Sequence, residues 1–319
     1  MLSGSPGTPS AALVVVAYGG HELVVRLLDS LRRHPDAGLM AEVVLVDNGW
    51  PHQGDCRDRV DPRAYTFPIR FVQNRDRSYS SGINRGASGT SAEVIIAANS
   101  DLEWIPGSSI EPLLRVFGTN PRVGVAGPTQ VYPDGTWQRS YGPLPSVPEA
   151  LGSVVALEQL WSRVRRAVRG KRTFGVSYVD GAFLATRRAC FEALGGFDER
   201  LGFYAEDLDY CWRAASAGWK CVVVPEAVVM HVRGSSSRSR TPMEYLVRLA
   251  RAKRAFVGKR HGARSAVVYG WLLHAGAVAQ AAFASLLGVV RQDFAARRKD
   301  HLDWVRATRS AATSPVDRA

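Results

Sequence analysis

Apolar residues along this chain fall into two rhythms. Short unbroken runs occur at Leu13 to Ala17, Val43 to Val46, Val94 to Ala98 and Val123 to Ala126, and Phe67 to Val72 is a run interrupted by Arg70. They have the length and content of strands, and Val94 to Ala98 suits one buried on both faces of a parallel sheet. Between them, Leu23, Val24, Leu27, Leu28 and Leu31 recur at helical spacing, as do Ile110, Leu113, Leu114 and Phe117. Strands alternating with helices predict an α/β fold. Gly127 to Pro148 holds five prolines and reads as an irregular crossing segment. Tyr178 to Ala185 then reads as a strand, and Arg188 to Leu194 as a short helix closed by Gly195-Gly196. A further helix buries Leu208, Cys211, Trp212 and Ala215 and ends at Gly218. Pro225-Glu226 separates two last strands, Cys221 to Val224 and Val228 to His231.

Two stretches differ in character. Val154 to Arg172 carries one apolar stripe against Arg163, Arg165, Arg166, Arg169, Lys171 and Arg172. Such a basic amphipathic helix either packs its stripe on the core or binds a membrane surface. Tyr245 to Arg260 reads as a basic helix. Ser265 to Val290 is apolar apart from His274, Gln280 and small residues. Its length allows a membrane span of ~20 residues, but the interruptions favour a helical hairpin that packs on the domain or lies in the membrane interface.

Candidate chemistry lies where the apolar runs stop. In open α/β sheets, ligands gather outside the carboxyl ends of the strands. The first run ends at Tyr18-Gly19-Gly20, where glycines let backbone approach a ligand. The second ends at Asp47-Asn48-Gly49, either a plain turn or a carboxylate for a nucleobase or ribose. The Val94 run ends at Asn99-Ser100-Asp101. This tripeptide is either a helix cap or the holder of a divalent cation, which in turn holds a diphosphate. Alone it favours the cap; its neighbours along the chain reverse the preference. In the polar stretch Asn74 to Gly86, Arg77 and Arg85 either meet phosphate or stand in a solvated loop. Gly181 marks a place where a ligand can approach a strand. Glu206, Asp207 and Asp209 open a helix and suit its macrodipole. Three carboxylates in four positions exceed what capping needs, and one at a cleft edge can act as general base. A lone histidine such as His231 is more often structural than a ligand; the acidic helix before it and the Gly234-Ser-Ser-Ser237 loop after it strengthen the second role.

Composition narrows the partners. The 319 residues suit one large α/β domain with an appendage, or two domains. The 41 basic and 29 acidic residues give a formal charge of +12, which favours an anionic partner. No nucleic-acid-binding module is recognisable, so nucleotide phosphates and an anionic membrane face are the expected partners. Cys56, Cys190, Cys211 and Cys221 show no Cys-x-x-Cys pairing, and the last three read as small core residues that fit a reducing cytoplasm. Residues 1–10 lack the basic start and apolar core of a secretory signal and read as a disordered lead-in.

Taken in order, Val-Val-Val-Ala-Tyr18, Val-Asp47-Asn48-Gly49, Asn84-Arg85-Gly86, Asn99-Ser100-Asp101, the Arg-Arg-Ala-Cys-Phe-Glu-Ala-Leu-Gly-Gly-Phe-Asp198 stretch, Tyr-Ala-Glu206-Asp207-Leu-Asp209, Ala-Gly218-Trp219 and Val-Val-Met-His231 resemble glycosyltransferase family 2 enzymes of GT-A type. The resemblance runs from about Leu13 to Arg233. The segment around Asn99-Ser-Asp-Leu-Glu-Trp further resembles bacterial rhamnosyltransferases that extend polyprenyl-diphosphate-linked sugars. It implies a Rossmann-like, mostly parallel central sheet flanked by helices over 11–240, with a helical C-terminal region over 241–319. It implies donor contacts at Tyr18, Asp47, Arg77, Asn84, Asn99, Asp101 and Gly181. Asp101 and His231 would bind a divalent cation, Mg2+ or Mn2+. Asp207 would be the general base, with Glu206 the alternative. Three departures stand out. Asn99 replaces the first carboxylate of the metal motif, Gly19 replaces the usual asparagine after the tyrosine, and the donor loop is altered around Arg77 to Gly82.

The implied activity is inverting, metal-dependent hexosyl transfer from a nucleotide sugar, with L-rhamnose from dTDP-rhamnose the first expectation. The acceptor is a hydroxyl of a glycan, a lipid-linked sugar or a glycosylated small molecule. The expected location is the cytoplasm, with peripheral contact at the inner face of the plasma membrane. The alternatives are a non-catalytic nucleotide-sugar-binding relative and a sugar nucleotidyltransferase; Tyr18-Gly-Gly-His21 lacks the arginine of the latter's phosphate loop.

Overall fold

The computed structural model describes residues 9–19, 21–49, 56–154, 172–201, 204–232, 242–288 and 298–314. They belong to two compact units. The first comprises Met1–Gly142, Lys171–Leu201 and Glu206–Ser236; the second comprises Pro143–Gly170, Gly202–Ala205 and Ser237–Ala319.

In chain order the elements are β1 (Ala11–Ala17), α1 (His21–Arg32), β2 (Met40–Asp47), β3 (Ile69–Gln73), α2 (Tyr79–Ala87), β4 (Val94–Asn99), β5 (Leu102–Glu103), α3 (Glu111–Thr119), β6 (Val123–Val131), β7 (Trp137–Gln138) and β8 (Tyr141–Gly142). Helix α4 (Val147–Val154) lies in the second unit. Then come β9 (Phe174–Gly175), β10 (Tyr178–Val179), β11 (Phe183–Arg187), α5 (Arg188–Leu194), α6 (Glu206–Ser216) and β12 (Lys220–His231).

The main sheet runs β3-β2-β1-β4-β11-β6-β12-β5. Strands β1 to β4 are mutually parallel, β11 is antiparallel to β4 and β6, and β12 is parallel to β6. The expected mostly parallel α/β sheet is therefore present, and so are the C-terminal helices. Every position of β1 is buried, as the unbroken apolar run requires. Helix α1 turns Val24, Leu27, Leu28 and Leu31 into the core. Helix α2 comes so close to the sheet that a β-carbon on Gly86 would stand 2.4 Å from Val14 Cγ1.

Four local outcomes differ from the reading of the sequence, one being that α6 buries Tyr210 and Ala214 with Leu208 and Cys211, while Trp212 is half-buried and Ala215 exposed. The last two expected strands are one strand, β12. Its register on β6 jumps from Val224↔Pro128 to Val228↔Thr129, so Pro225 to Ala227 form a bulge, where a proline costs no ladder bond. The expected strand Tyr178 to Ala185 is split. Tyr178–Val179 pairs with β8 in a small separate sheet, and Phe183–Arg187 joins the main one. The cap of α3 is not Asn99-Ser100-Asp101. Buried Asp36 serves that end, with Oδ2 accepting from Ile110 N at 2.8 Å and Trp104 Nε1 at 3.1 Å, and Oδ1 from Ser109 Oγ at 2.6 Å.

In the second unit, α7 (Pro242–His261), α8 (Ala263–Gly288) and α9 (Arg298–Thr313) pack on one another, and α4 packs on α8. Gly262, at φ +84°, makes the tight turn between α7 and α8. Arg254 is buried and donates to Ala311 O at 2.6 Å, Ser314 O at 2.7 Å and Ala266 O at 3.3 Å. Among the described residues, no helix is long and apolar enough to cross a membrane. The expected basic stripe between 155 and 171, the Gly234 to Ser237 loop, and residues 1–8 of the lead-in lie outside the described residues.

Candidate active site

Register brings the strand ends together on one edge of the first unit. Val16 and Ala17 of β1 pair with Val46 and Asp47 of β2, and Val16 pairs with Asn99 of β4. Asn48 N donates to Ala17 O at 2.9 Å, and Asn99 N to Ala182 O at 3.0 Å. Asp47, Tyr18, Asn99 and the Gly181 turn therefore follow one another along neighbouring strands, about 4.8 Å per strand.

Asp101 and His231 meet in this row. Asp101 follows β4, and β12 pairs antiparallel with β5, which sets His231 opposite Leu102. His231 Nε2 lies 3.2 Å from Asp101 Oδ1, and both residues are buried. On the other side of the ring, Nδ1 is 2.7 Å from Gln138 Oε1 and 3.2 Å from Gln130 Oε1. Both are carbonyl oxygens, so Nδ1 donates. In the neutral ring Nε2 then carries a lone pair directed at a carboxylate oxygen. That contact is unfavourable until a proton or a cation lies there. One carboxylate and one imidazole suit a divalent ion whose remaining positions are filled by water and phosphate oxygens. Among the described residues, no group of three histidine, cysteine or acidic side chains forms a closed metal site.

Asp207 lies on the first turn of α6. Its Oδ2 accepts from Gly181 N at 3.1 Å and its Oδ1 from Leu208 N at 2.8 Å. Burial, then the charges of Glu206 and Asp180, push its pKa up to about 8, against the pull of those two donors. Such a carboxylate is a much stronger base than an ordinary aspartate. The Tyr79 hydroxyl donates to Gly181 O at 2.5 Å. Its pKa is raised by burial and then by Glu206, Asp207, Asp180 and Asp101. The carboxylate after β4 and those on α6 therefore act on the same phenol. Asp209, the third acidic residue of α6, is fully buried and paired with Arg213 at 2.7 Å. Arg213 also donates to Leu194 O and Gly196 O, so this pair fastens α6 to the end of α5.

The other expected site residues have defined local surroundings. Buried Asp47 accepts from Gly49 N at 2.6 Å and Cys56 N at 3.2 Å, which shapes its own loop. Arg77 is exposed, with its Nε 3.9 Å from where a β-carbon on Gly49 would stand. Arg77 adopts φ +55°, a conformation uncommon for a side-chain-bearing residue. Asn84 is turned toward the loop after α5. It donates to Phe197 O at 2.9 Å and Glu199 Oε1 at 2.7 Å, and accepts from Phe197 N at 2.8 Å. Its amide holds that loop. Arg85 forms an exposed pair with Asp76 at 2.7 Å.

Sequence reasoning passed over Tyr79, Asp180, Gln130 and Gln138. Tyr79 opens a helix after a serine cap, Ser78, and that was its only signal. The two glutamines lay inside a proline-rich stretch with no readable period.

Comparison with known proteins fits this geometry. The model of the family described as glycosyltransferase like family 2 matches residues 8–254. The N-acetylglucosaminyl-diphospho-decaprenol L-rhamnosyltransferase of Mycobacterium tuberculosis is 33% identical over 266 residues, covering 78% of this chain and 84% of the relative. The O-antigen biosynthesis protein RfbC of Myxococcus xanthus is 26% identical over 249 residues, covering 73% of this chain and 18% of the relative. Among solved structures, the mannosyltransferase PcManGT from Pyrobaculum calidifontis, in complex with GDP-Man and Mn2+, superposes with a TM-score of 0.62. That match has 17% identity and covers 97% of this chain and 88% of the other. GalNAc-T7 with UDP, GalNAc and Mn2+ gives a TM-score of 0.56 at 16% identity, covering 80% of this chain and 50% of the other. The fold is GT-A, and the chain belongs to glycosyltransferase family 2.

Proposed function

We propose that this glycosyltransferase moves L-rhamnose from dTDP-rhamnose to a hydroxyl of a polyprenyl-linked sugar, with inversion at the anomeric carbon. The carrying observation is Asp207, a buried carboxylate with raised basicity beside the Gly181 turn. The mycobacterial relative, named for L-rhamnosyl transfer to a decaprenol-linked sugar, supports the donor and acceptor.

Asp207 takes the proton of the acceptor hydroxyl as its oxygen attacks the anomeric carbon. The bond from that carbon to the diphosphate oxygen breaks, and the nucleoside diphosphate leaves from the opposite face. One in-line displacement inverts the centre. The Gly181 and Leu208 N–H groups orient the Asp207 carboxylate for this transfer, and Glu206 and Asp180 keep its basicity high. Tyr18, Asp47, Arg77 and Asn99 line the nucleotide side of the edge. Asp101 and His231 would hold Mg2+ or Mn2+, which supplies compensation for the charge of the departing diphosphate.

The acceptor's lipid suggests a membrane contact in the second unit. Helix α8 leaves Val267, Val268, Trp271 and Val278 between 40% and 50% exposed. They recur at helical spacing on one stripe that begins at Arg264 and continues through Ala275 and Ala282. Lys259 and Arg260 precede the stripe, so an anionic bilayer suits both its apolar and its basic parts.

The test is turnover of a panel of nucleotide sugars with a polyprenyl-diphosphate-linked acceptor, with Mg2+ or Mn2+ and with chelator. The expected result is transfer from dTDP-rhamnose alone, lost on chelation. Asp207→Asn should lower the rate by ~10²–10⁴-fold while donor binding survives. Transfer of a different sugar would replace the donor assignment, and near-normal turnover by Asp207→Asn would remove Asp207 as the base.

A further inference from the structure

Gln130 and Gln138 face each other as direct partners across the β6–β7 pair. Both are buried, with 0% and 1% exposure. The adjoining β12 sets Val229 beside Gln130 and Met230 beside Val131, so His231 arrives at the end of the glutamine pair. Both side chains turn their Oε1 atoms to the same ring nitrogen, His231 Nδ1. The Gln138 amide also makes a long contact, 3.5 Å, from its Nε2 to His231 O. Gln130 keeps its Oε1 on the imidazole although its buried Nε2 has no hydrogen-bond partner among the described residues. A buried amide nitrogen left without an acceptor costs stability. A flip of Gln130 would turn its N–H groups toward Nδ1 and remove one of the two acceptors there.

We propose that Gln138, backed by Gln130, is a positioning residue that holds His231 in the Nδ1–H tautomer, so that Nε2 presents its lone pair beside Asp101 to a divalent cation. The inference rests on the cation-site reading above and adds what prepares the site before the ion arrives. Imidazole can carry its neutral proton on either nitrogen. With the proton on Nε2, the N–H would point at Asp101 and be held by that carboxylate, and a cation would have to displace it. The two carbonyl oxygens on Nδ1 counter that pull by holding a proton on the far nitrogen, so that Nε2 beside Asp101 is the atom a cation meets. Partners on the far nitrogen of a metal-binding histidine typically change metal affinity by about 10–100-fold. In this chain neutral amides fill the place that a carboxylate often takes. The ring is thereby oriented without extra negative charge, which suits a site that must also accept a diphosphate.

The test uses the full chain in three variants, Gln138→Met, Gln130→Met and Gln138→Glu, each checked for an unchanged melting profile. Long-range nitrogen–proton NMR of histidine-labelled protein without metal reads the tautomer, with the His231 signals assigned by loss in His231→Asn. Mn2+ titration followed by EPR, without any nucleotide sugar, reads the site. The wild-type chain should show the Nδ1–H pattern at His231. Gln138→Met should lose that fixed pattern and weaken Mn2+ binding by about 10–100-fold. Gln130→Met should do so to a smaller extent, and Gln138→Glu, which keeps an acceptor, should retain both pattern and affinity. A wild-type His231 protonated on Nε2, or undiminished Mn2+ binding in Gln138→Met, overturns the inference and leaves the cation site standing. A wild-type chain that binds no Mn2+ overturns the cation site itself.

Discussion

Gly181 stands directly against Asp207: a β-carbon on the glycine would lie 3.4 Å from the aspartate Cβ, and the glycine N–H donates to Oδ2 at 3.1 Å. At that spacing a methyl group is accommodated and a larger one is not. Gly181→Ala should retain most activity. Gly181→Val should push the carboxylate off its donor and lower kcat by ~10²-fold, the usual scale for a misplaced catalytic group. Steady-state kinetics on both variants checks this, with donor KM expected to change little.

The raised pKa of Asp207 also makes a stability prediction. An unfolded aspartate titrates near 3.8, whereas this one is pushed up to about 8 in the fold. Between those values the native chain binds the extra proton, so stability falls as pH rises from about 4 to about 8. Asp207→Asn removes that dependence. The melting temperature of the variant minus that of the wild type should therefore grow more positive from pH 5 to pH 8.5 in metal-free buffer. A difference that stays flat across the range would contradict the assignment.

Asp101 and His231 should behave as one unit. Calorimetric titration with nucleotide sugar and Mn2+ should show donor binding weakened in Asp101→Ala and in His231→Ala. The double variant should be little worse than either single one, because the shared ion is already lost. Donor affinity that ignores both substitutions, or ignores chelator, would count against the pair as cation ligands.

Asn84 separates structure from chemistry. Its amide makes three hydrogen bonds to the 197–199 loop, and the Gly196 β-carbon position lies 2.4 Å from its Oδ1. Asn84→Ala should destabilise the fold by about 1–3 kcal/mol through the buried groups left unmatched. Denaturant melts read that loss, while donor affinity in the folded fraction should stay near that of the wild type.

The apolar stripe of α8 can be tested by flotation. With anionic liposomes at low salt the wild-type chain should float, and Trp271→Glu with Val278→Glu should shift it to the soluble fraction. Neutral liposomes should hold less protein, since the basic flank then has no counterpart. Equal flotation of both proteins would move the contact elsewhere.

The residues explain why some of this was legible in the sequence. Val94 to Ala98 is apolar without a break, so a central strand and its polar tip could be read directly. The same holds for Val43 to Val46 and the Asp47 turn. Gly195-Gly196 announced a left-handed helix end, and both glycines do adopt positive φ. The cap of α3 was hidden because Asp36 lies 74 positions before the Ile110 amide it serves. The β12 bulge was hidden because Pro225 looked like a chain break and only its partner strand shows the continuity. Gln130, Gln138 and Tyr79 act through residues 93 to 102 positions away, a relationship set by register and not by any local period.

Arg254 carries a practical consequence for anyone handling this protein. One guanidinium gathers carbonyls from Ala266, Ala311 and Ser314, so residues 311–314 are a keystone of the helical unit. Trimming back to residue 310 would strip two acceptors from a buried cation, and such a shortened product should express poorly.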